Sequence, residues 1–456
     1  MKLLLVLLFA ALATNASAYD LTDADRTKID RTVENVLKQA QTPAASIAIV
    51  LDGKLAYAKA YGAAKLSPRV AATSDMRFPI GSVSKQFTAA AILRLREDGK
   101  IKLEDKVSQY VPEVEHGSEM TVHQLLDHTS GLRDYWPQDF MIPPMREPTT
   151  PLAILQRWAT GALDFAPGTD WQYSNTGFVA AGVASERISG KPLLQQLQDG
   201  VFKPLGMTSV IEASVKPSPD VLGYTRYALG PVRAAELDRA NWMYAAGGLA
   251  MTASDLARWD ISLINRSLLQ PASYDAMLTP TKLASGKDTN YGLGIGVNTV
   301  NGRKVISHGG EVTGFLTENA IYPDDKAAIV VMVNSDAAGG PQARIAERLA
   351  SLVLPTNAKD QAVREFFDML RAGKFDPARM TSYGSSWFTN QVIADYQTTL
   401  AKFGEPDLFK LRRSSERGGL DTRSYTVRSG DKSMNVLVRM GPDQKIEQFS
   451  VGPLPD

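Results

Sequence analysis

Two periodicities divide the chain. Across residues 24–41 apolar side chains recur at Ile29, Val33, Val36 and Leu37, which predicts a surface helix with one buried stripe. Strand-like runs follow: 45–51 and 55–61 flank Asp52-Gly53-Lys54, a hairpin signal. The signature returns far downstream, in 291–297 and 304–308 around Asn301-Gly302, and in 315–322 and 327–334 around Pro323-Asp324-Asp325-Lys326. These six runs predict one antiparallel sheet. Between Lys85 and about Leu283 the period is helical instead, in 122–128, 151–158, 177–188, 193–201 and 254–264, so a helical insertion separates the two halves of the sheet.

After a helical pattern over 342–352, the polar, proline-broken segment Leu354-Pro355-Thr356-Asn357-Ala358-Lys359-Asp360 marks a domain boundary. Residues 361–456 then carry helical patterns at 363–370 and 392–403 and strand patterns at 408–413, 424–427, 435–440 and 446–451. Their order is similar to NTF2-like folds, a likeness that carries no function; a structural accessory or oligomerisation domain is expected rather than a second active site. The expected fold class is mixed α/β of the α+β kind. Residues 19–354 would form an antiparallel sheet flanked by helices with an inserted helical subdomain, and 361–456 a small α+β domain.

At 456 residues and 44% apolar, the chain can bury more than one core, and its charge is nearly balanced, 50 basic against 49 acidic residues. No nucleic acid or anionic membrane surface is implied as a partner. Met1-Lys2, the apolar run 3–13 and Ala16-Ser17-Ala18 read as a secretory signal peptide, residues 1–18, cleaved after Ala18. That run is well short of the roughly 20 residues a membrane span needs, so no stable membrane anchor is expected. An exported, periplasmic or secreted protein follows. It contains no cysteine, which excludes disulfides and thiol chemistry. Its four histidines, 116, 123, 128 and 308, form no H-E-x-x-H or comparable ligand set, and no metal or cofactor is implied.

Ser82-Val83-Ser84-Lys85 opens an apolar helical run after Phe78-Pro79-Ile80-Gly81. Serine needs a base at neutral pH, and a lysine three residues on lies one helical turn away on the same face. At a helix start the Ser82 N–H is free to meet a developing oxyanion. A second S-x-x-K, Ser429 to Lys432, reads as a hairpin turn. Tyr173-Ser174-Asn175 lies in a loop entering a helix, with Tyr173 and Asn175 facing one side. A phenol beside an ammonium can titrate below its usual pKa of about 10 and act as a base. Taken alone, Tyr173 reads as a core aromatic and Asn175 as a helix cap. His308-Gly309-Gly310 ends a strand, with glycines that admit a substrate backbone, and the N–H of Glu311 becomes a second oxyanion donor.

Tyr173 follows Ser82 by 91 residues and His308 follows Tyr173 by 135. In this order and spacing the three motifs resemble those of the class C β-lactamase and penicillin-binding-protein superfamily of serine hydrolases. Leu125-Leu126-Asp127-His128-Thr129-Ser130-Gly131-Leu132, Pro167-Gly168, Gly247-Gly248-Leu249 and Ser254-Asp255-Leu256-Ala257 extend the likeness, which covers residues 24–354. The resemblance implies Ser82 as nucleophile and Lys85 with Tyr173 as the proton-handling pair, Tyr173 activating the water. It also implies Asn175, His308, Gly310 and Glu311 as substrate-binding positions, with His128 structural and outside the site. His308 stands where the lactamases carry lysine, so it offers less fixed charge for a β-lactam carboxylate.

The expected activity is hydrolysis of an amide or ester through an acyl-enzyme, of the D-amino-acid peptidase, esterase or weak β-lactamase type, with a small molecule or short peptide as substrate. The alternative is a non-hydrolytic penicillin-binding or sensor protein of the same fold. The loop 134–150 carries Trp136, Phe140 and Met141 as pocket-lining or packing residues. Oligomeric state is not legible.

Overall fold

A computed structural model describes residues 21–136, 143–213, 220–300, 302–337 and 339–454. The expected signal peptide, residues 1–18, and Phe140 and Met141 lie outside the described residues.

The first helix, Asp23–Ala40, starts where Thr22 and Asp25 exchange hydrogen bonds in a capping box, and it buries Ile29, Val33, Val36 and Leu37 as the stripe predicts. The main sheet has seven strands, all antiparallel, in the spatial order Arg69–Ala71, Lys54–Leu66, Ala44–Leu51, Ala327–Val333, Phe315–Tyr322, Arg303–Val312 and Gly296–Val300. Its two halves meet at the centre, where Ile47 pairs with Val331. The central strands 44–51 and 327–333 are buried along their whole length, because helices cover both faces. Alternate residues feed different cores: Ile47, Ile49, Val331 and Val333 pack with the helices Asp23–Ala40 and Pro341–Val353, while Ala48, Val50, Val330 and Met332 join the core of the helical insertion.

The insertion contains the expected helices as Val122–Leu126, Pro151–Trp158, Asn175–Ser189, Leu193–Leu197 and Ala253–Asn265. One expected strand is mostly something else. Of 291–297 only the end is a strand, because Gly292 and Gly294 press the backbone against helices: a Cβ would stand 2.1 Å from the Met277 carbonyl oxygen at Gly292 and 2.6 Å from the Lys85 carbonyl oxygen at Gly294. That excursion carries Tyr291 inward. Nor does the strand from Arg303 stop at His308; it continues to Val312, and His308, Gly309 and Gly310 pair without a bulge to Asn319, Glu318 and Thr317.

The C-terminal region has its own core, including Phe366, Phe367, Leu370, Tyr425 and Val436. Helices Ala358–Arg371 and Asn390–Phe403 supply residues to it, together with a four-stranded antiparallel sheet in sequential order, Leu408–Arg417, Leu420–Ser429, Lys432–Met440 and Ile446–Gly452. The second S-x-x-K spans the turn between two of these strands, with Gly430 at φ +63°. Buried Arg348 joins this region to the first, 3.0 Å from Asp407.

Candidate active site

Ser82 lies in the 3₁₀ turn Gly81–Val83, which leads into the helix Ser84–Glu97. The turn is wedged against the sheet by two glycines. Gly81 adopts φ +53°, and a Cβ there would stand 2.6 Å from the Glu311 backbone nitrogen; a Cβ on Gly310 would stand 1.9 Å from the Ile80 carbonyl oxygen. The backbone of Glu311 is thereby set beside the residue preceding Ser82. Gly310 is thus not open to a substrate backbone, contrary to the sequence reading, because the protein's own chain fills that space.

One turn after Ser82, fully buried Lys85 directs its ammonium at three oxygens: Asn175 Oδ1 at 2.7 Å, the Ala246 carbonyl at 2.7 Å and Ser82 Oγ at 3.1 Å. Asn175 is the first residue of its helix, and the cap is Ser174, whose side chain accepts from the Gly177 N–H. Capping by Ser174 leaves the Asn175 amide free to face the site. The carboxylate of Asp134 accepts both the Asn175 backbone N–H and its Nδ2–H, each at 3.0 Å. Those donations fix the amide so that Oδ1 meets Lys85.

Tyr173 shares a hydrogen bond with Ser82, and the Lys85 Nζ sits 4.8 Å from the centre of its ring. Beneath Tyr173 lies the ring of His128, centroids 4.2 Å apart, in a buried cluster with Tyr291 and Phe178. The Ser174 N–H donates to His128 Nδ1 at 3.1 Å, so His128 holds the Tyr173-Ser174-Asn175 segment in place from below. His308 approaches from the other side, its ring centroid 6.1 Å from that of Tyr173. Its Nδ1 is 2.5 Å from the Gly309 carbonyl and its Nε2 2.8 Å from the Tyr291 hydroxyl. A carbonyl only accepts, so Nδ1 carries the proton and, in the neutral ring, Nε2 accepts from Tyr291.

Burial decides the charges. It pushes the Lys85 ammonium down to about 7 against the opposing pull of Asp134, and it raises the Asp134 carboxyl. It lowers His308 to about 4, helped by Lys85, and lowers His128 well below its ordinary range. Burial also raises Tyr173; the Ser82 hydrogen bond opposes this, and Asp134 adds to it. The sequence reading expected a phenol of lowered pKa. Desolvation dominates, so the resting phenol is protonated and Lys85 is the group that can be neutral.

The structure brings together Ser82, Lys85, Tyr173, Asn175, His308 and the Glu311 backbone, and turns Gly310 to a packing role. Asp134 and Tyr291 were missed. Tyr291 carried a signal, since glycines at 292 and 294 inside a strand-like run mark close backbone approach. For Asp134 no local signal existed beyond its place just after the H-T-S-G-L segment. Trp136 is half-buried and packs on the main core. A cavity of about 550 Å³, lined by Ser307, Glu318, Glu347 and Arg364, includes none of these site residues in its walls. Among the described residues no cluster of three His, Asp or Glu could hold a metal ion.

A family model described as Beta-lactamase matches residues 29–354. Penicillin-binding protein 4* of Bacillus subtilis is 28% identical over 302 residues, covering 62% of this chain and 66% of that protein. A D-aminopeptidase of Cereibacter sphaeroides is 28% identical over 325 residues, 69% of this chain and 61% of that protein. The chain thus spans slightly under two thirds of the length of these relatives. The solved D-stereospecific amidohydrolase from Streptomyces sp. superposes with a TM-score of 0.60 at 26% identity, covering 70% of this chain and 97% of that one.

Proposed function

The chain belongs to the Beta-lactamase family, and on that premise we propose that it is a serine hydrolase that forms an acyl-enzyme on Ser82 and cleaves small amides or esters, D-amino-acid amides and short peptides foremost. The observation that carries this reading is the set of three oxygens around Lys85. The Asn175 and Ala246 oxygens can only accept, so a neutral Lys85 gives its two N–H groups to them and aims its lone pair at Ser82 Oγ.

The proton path closes. Neutral Lys85 takes the Ser82 proton as Oγ attacks the carbonyl carbon, and the N–H groups of Ser82 and Glu311 stabilise the oxyanion. Tyr173 donates its proton to the leaving nitrogen or oxygen as that bond breaks. The phenolate formed then faces the Lys85 ammonium, takes a proton from the incoming water, and Lys85 returns its proton to Ser82 as the acyl group leaves. Tyr173 therefore acts first as acid and only afterwards as base. Asn175, through the Nδ2–H not given to Asp134, would position the substrate by hydrogen bonding, and neutral His308, its ring nitrogens held by Gly309 and Tyr291, would bound the substrate sterically.

Relatives named D-aminopeptidase and D-stereospecific amidohydrolase support the substrate class. A neutral His308 favours uncharged or ammonium-bearing substrates over a β-lactam carboxylate. The leader supports export, and the region 361–456 is proposed as an accessory domain. A panel of D- and L-alanine p-nitroanilide, p-nitrophenyl acetate and nitrocefin tests the reading. Turnover of the ester and the D-anilide, lost in Ser82→Ala, is expected; equal turnover by the variant would overturn it.

A further inference from the structure

Beside the oxyanion turn is a second, small cavity of about 40 Å³. Pro79, Val221, Met243, Gly247 and Val312 contribute to its largely apolar wall, and Asp238 is its one ionisable side chain. Its place is fixed by neighbours of the reacting groups. Gly247 follows Ala246, the carbonyl partner of Lys85, and a Cβ on Gly247 would stand 3.3 Å from the Gly81 carbonyl carbon; Val312 follows Glu311. The cavity thus lies against Val312, the residue after the Glu311 donor, and against Gly247, which packs on the residue before the Ser82 donor.

A carboxyl in such a wall is costly unless a cation meets it. Asp238 has none. Its carboxyl takes a hydrogen bond from its own backbone N–H, faces no basic side chain among the described residues, and is pushed up by burial to about 6.

Resting on the serine-hydrolase reading, we propose that Asp238 is the specificity-determining anchor for the free ammonium group of the substrate's acyl half. With the acyl carbonyl between the N–H groups of Ser82 and Glu311, the adjoining cavity receives the acyl substituents. Its volume, at roughly 10–15 Å³ per enclosed water, holds a few heavy atoms, which fits an ammonium with a methyl-sized side chain and not an aromatic one.

The test measures kcat/KM for D-alanine p-nitroanilide and its N-acetyl derivative in wild type, Asp238→Asn and Asp238→Glu, with p-nitrophenyl acetate reporting Ser82-dependent turnover. Wild type should favour the free amine by about tenfold or more, the scale of a charge-assisted hydrogen bond. Asp238→Asn should bring the ratio near unity, chiefly through KM, and Asp238→Glu should retain part of it. A ratio unchanged in Asp238→Asn while the ester still turns over through Ser82 overturns this assignment alone. Absence of any Ser82-dependent turnover in wild type overturns the hydrolase reading, and this one with it. Should Asp238→Asn not fold, a wild type without preference for the amine, or an Asp238→Glu ratio higher than wild type, is equally fatal.

Discussion

The Nζ of Lys85 lies 2.7 Å from the side-chain oxygen of Asn175, and that oxygen faces Lys85 because the amide nitrogen of Asn175 donates to Asp134. A loop carboxylate thereby sets the direction of an amide, the amide sets the direction of an amine, and the amine is left with one free position, toward Ser82. The same carboxylate also holds the Lys85 pKa up against burial.

A pH dependence follows. Because neutral Lys85 is the acting base, kcat/KM should rise with pH through about 7 as the ammonium deprotonates. His308, lowered to about 4, is already neutral across that limb and contributes nothing to it. Asp134 stabilises the charged form of Lys85, so Asp134→Asn should lower the lysine pKa and move the limb to lower pH. A limb that stays in place or moves upward in Asp134→Asn would deny the coupling.

Tyr173→Phe separates the roles of the phenol. If Tyr173 protonates the leaving group, its loss should slow acylation by an anilide about 10²–10⁴-fold. Acylation by a p-nitrophenyl ester, whose leaving group needs no proton, should suffer much less. Stopped-flow acylation rates for the two substrates decide the matter, and equal losses would remove the assignment of Tyr173 as acid.

The glycine pair of H-G-G should behave asymmetrically. Gly310→Ala forces a Cβ to within 1.9 Å of the Ile80 carbonyl oxygen, and displacing that backbone should cost about 1–3 kcal/mol of stability and disturb the Ser82 turn. Exposed Gly309 would place a Cβ no closer than 4.0 Å to its neighbours, so Gly309→Ala should pack without strain. Chemical denaturation of both variants measures the difference.

Much of this was legible in the chain because it is local. The stripe Ile29–Val33–Val36–Leu37, the hairpin at Asp52-Gly53 and the pairing of Phe315–Tyr322 with Ala327–Val333 each follow from periodicity and turn chemistry within a short window. The closeness of Lys85 to Ser82 is likewise a matter of one helical turn. What sequence could not supply were relations between distant segments. That Gly310 must be bare to admit Ile80 depends on a neighbour far back in the chain, and a glycine pair alone reads equally as room for substrate. The titration of Tyr173 was misjudged for the same reason: a nearby lysine is visible in the motif, whereas the burial that raises the phenol exists only once the chain is folded. Asp134, in a loop, matters through two bonds to the first residue of a helix about forty positions on, and no spacing announces them.

The most direct test of the central claim is intact and peptide-level mass spectrometry of the protein quenched during turnover of a p-nitrophenyl ester. An adduct of the acyl mass on the peptide containing Ser82, absent in Ser82→Ala and formed more slowly in Lys85→Ala, is the predicted result. Continued turnover with no adduct at Ser82, or an adduct formed at an undiminished rate without Lys85, would contradict it.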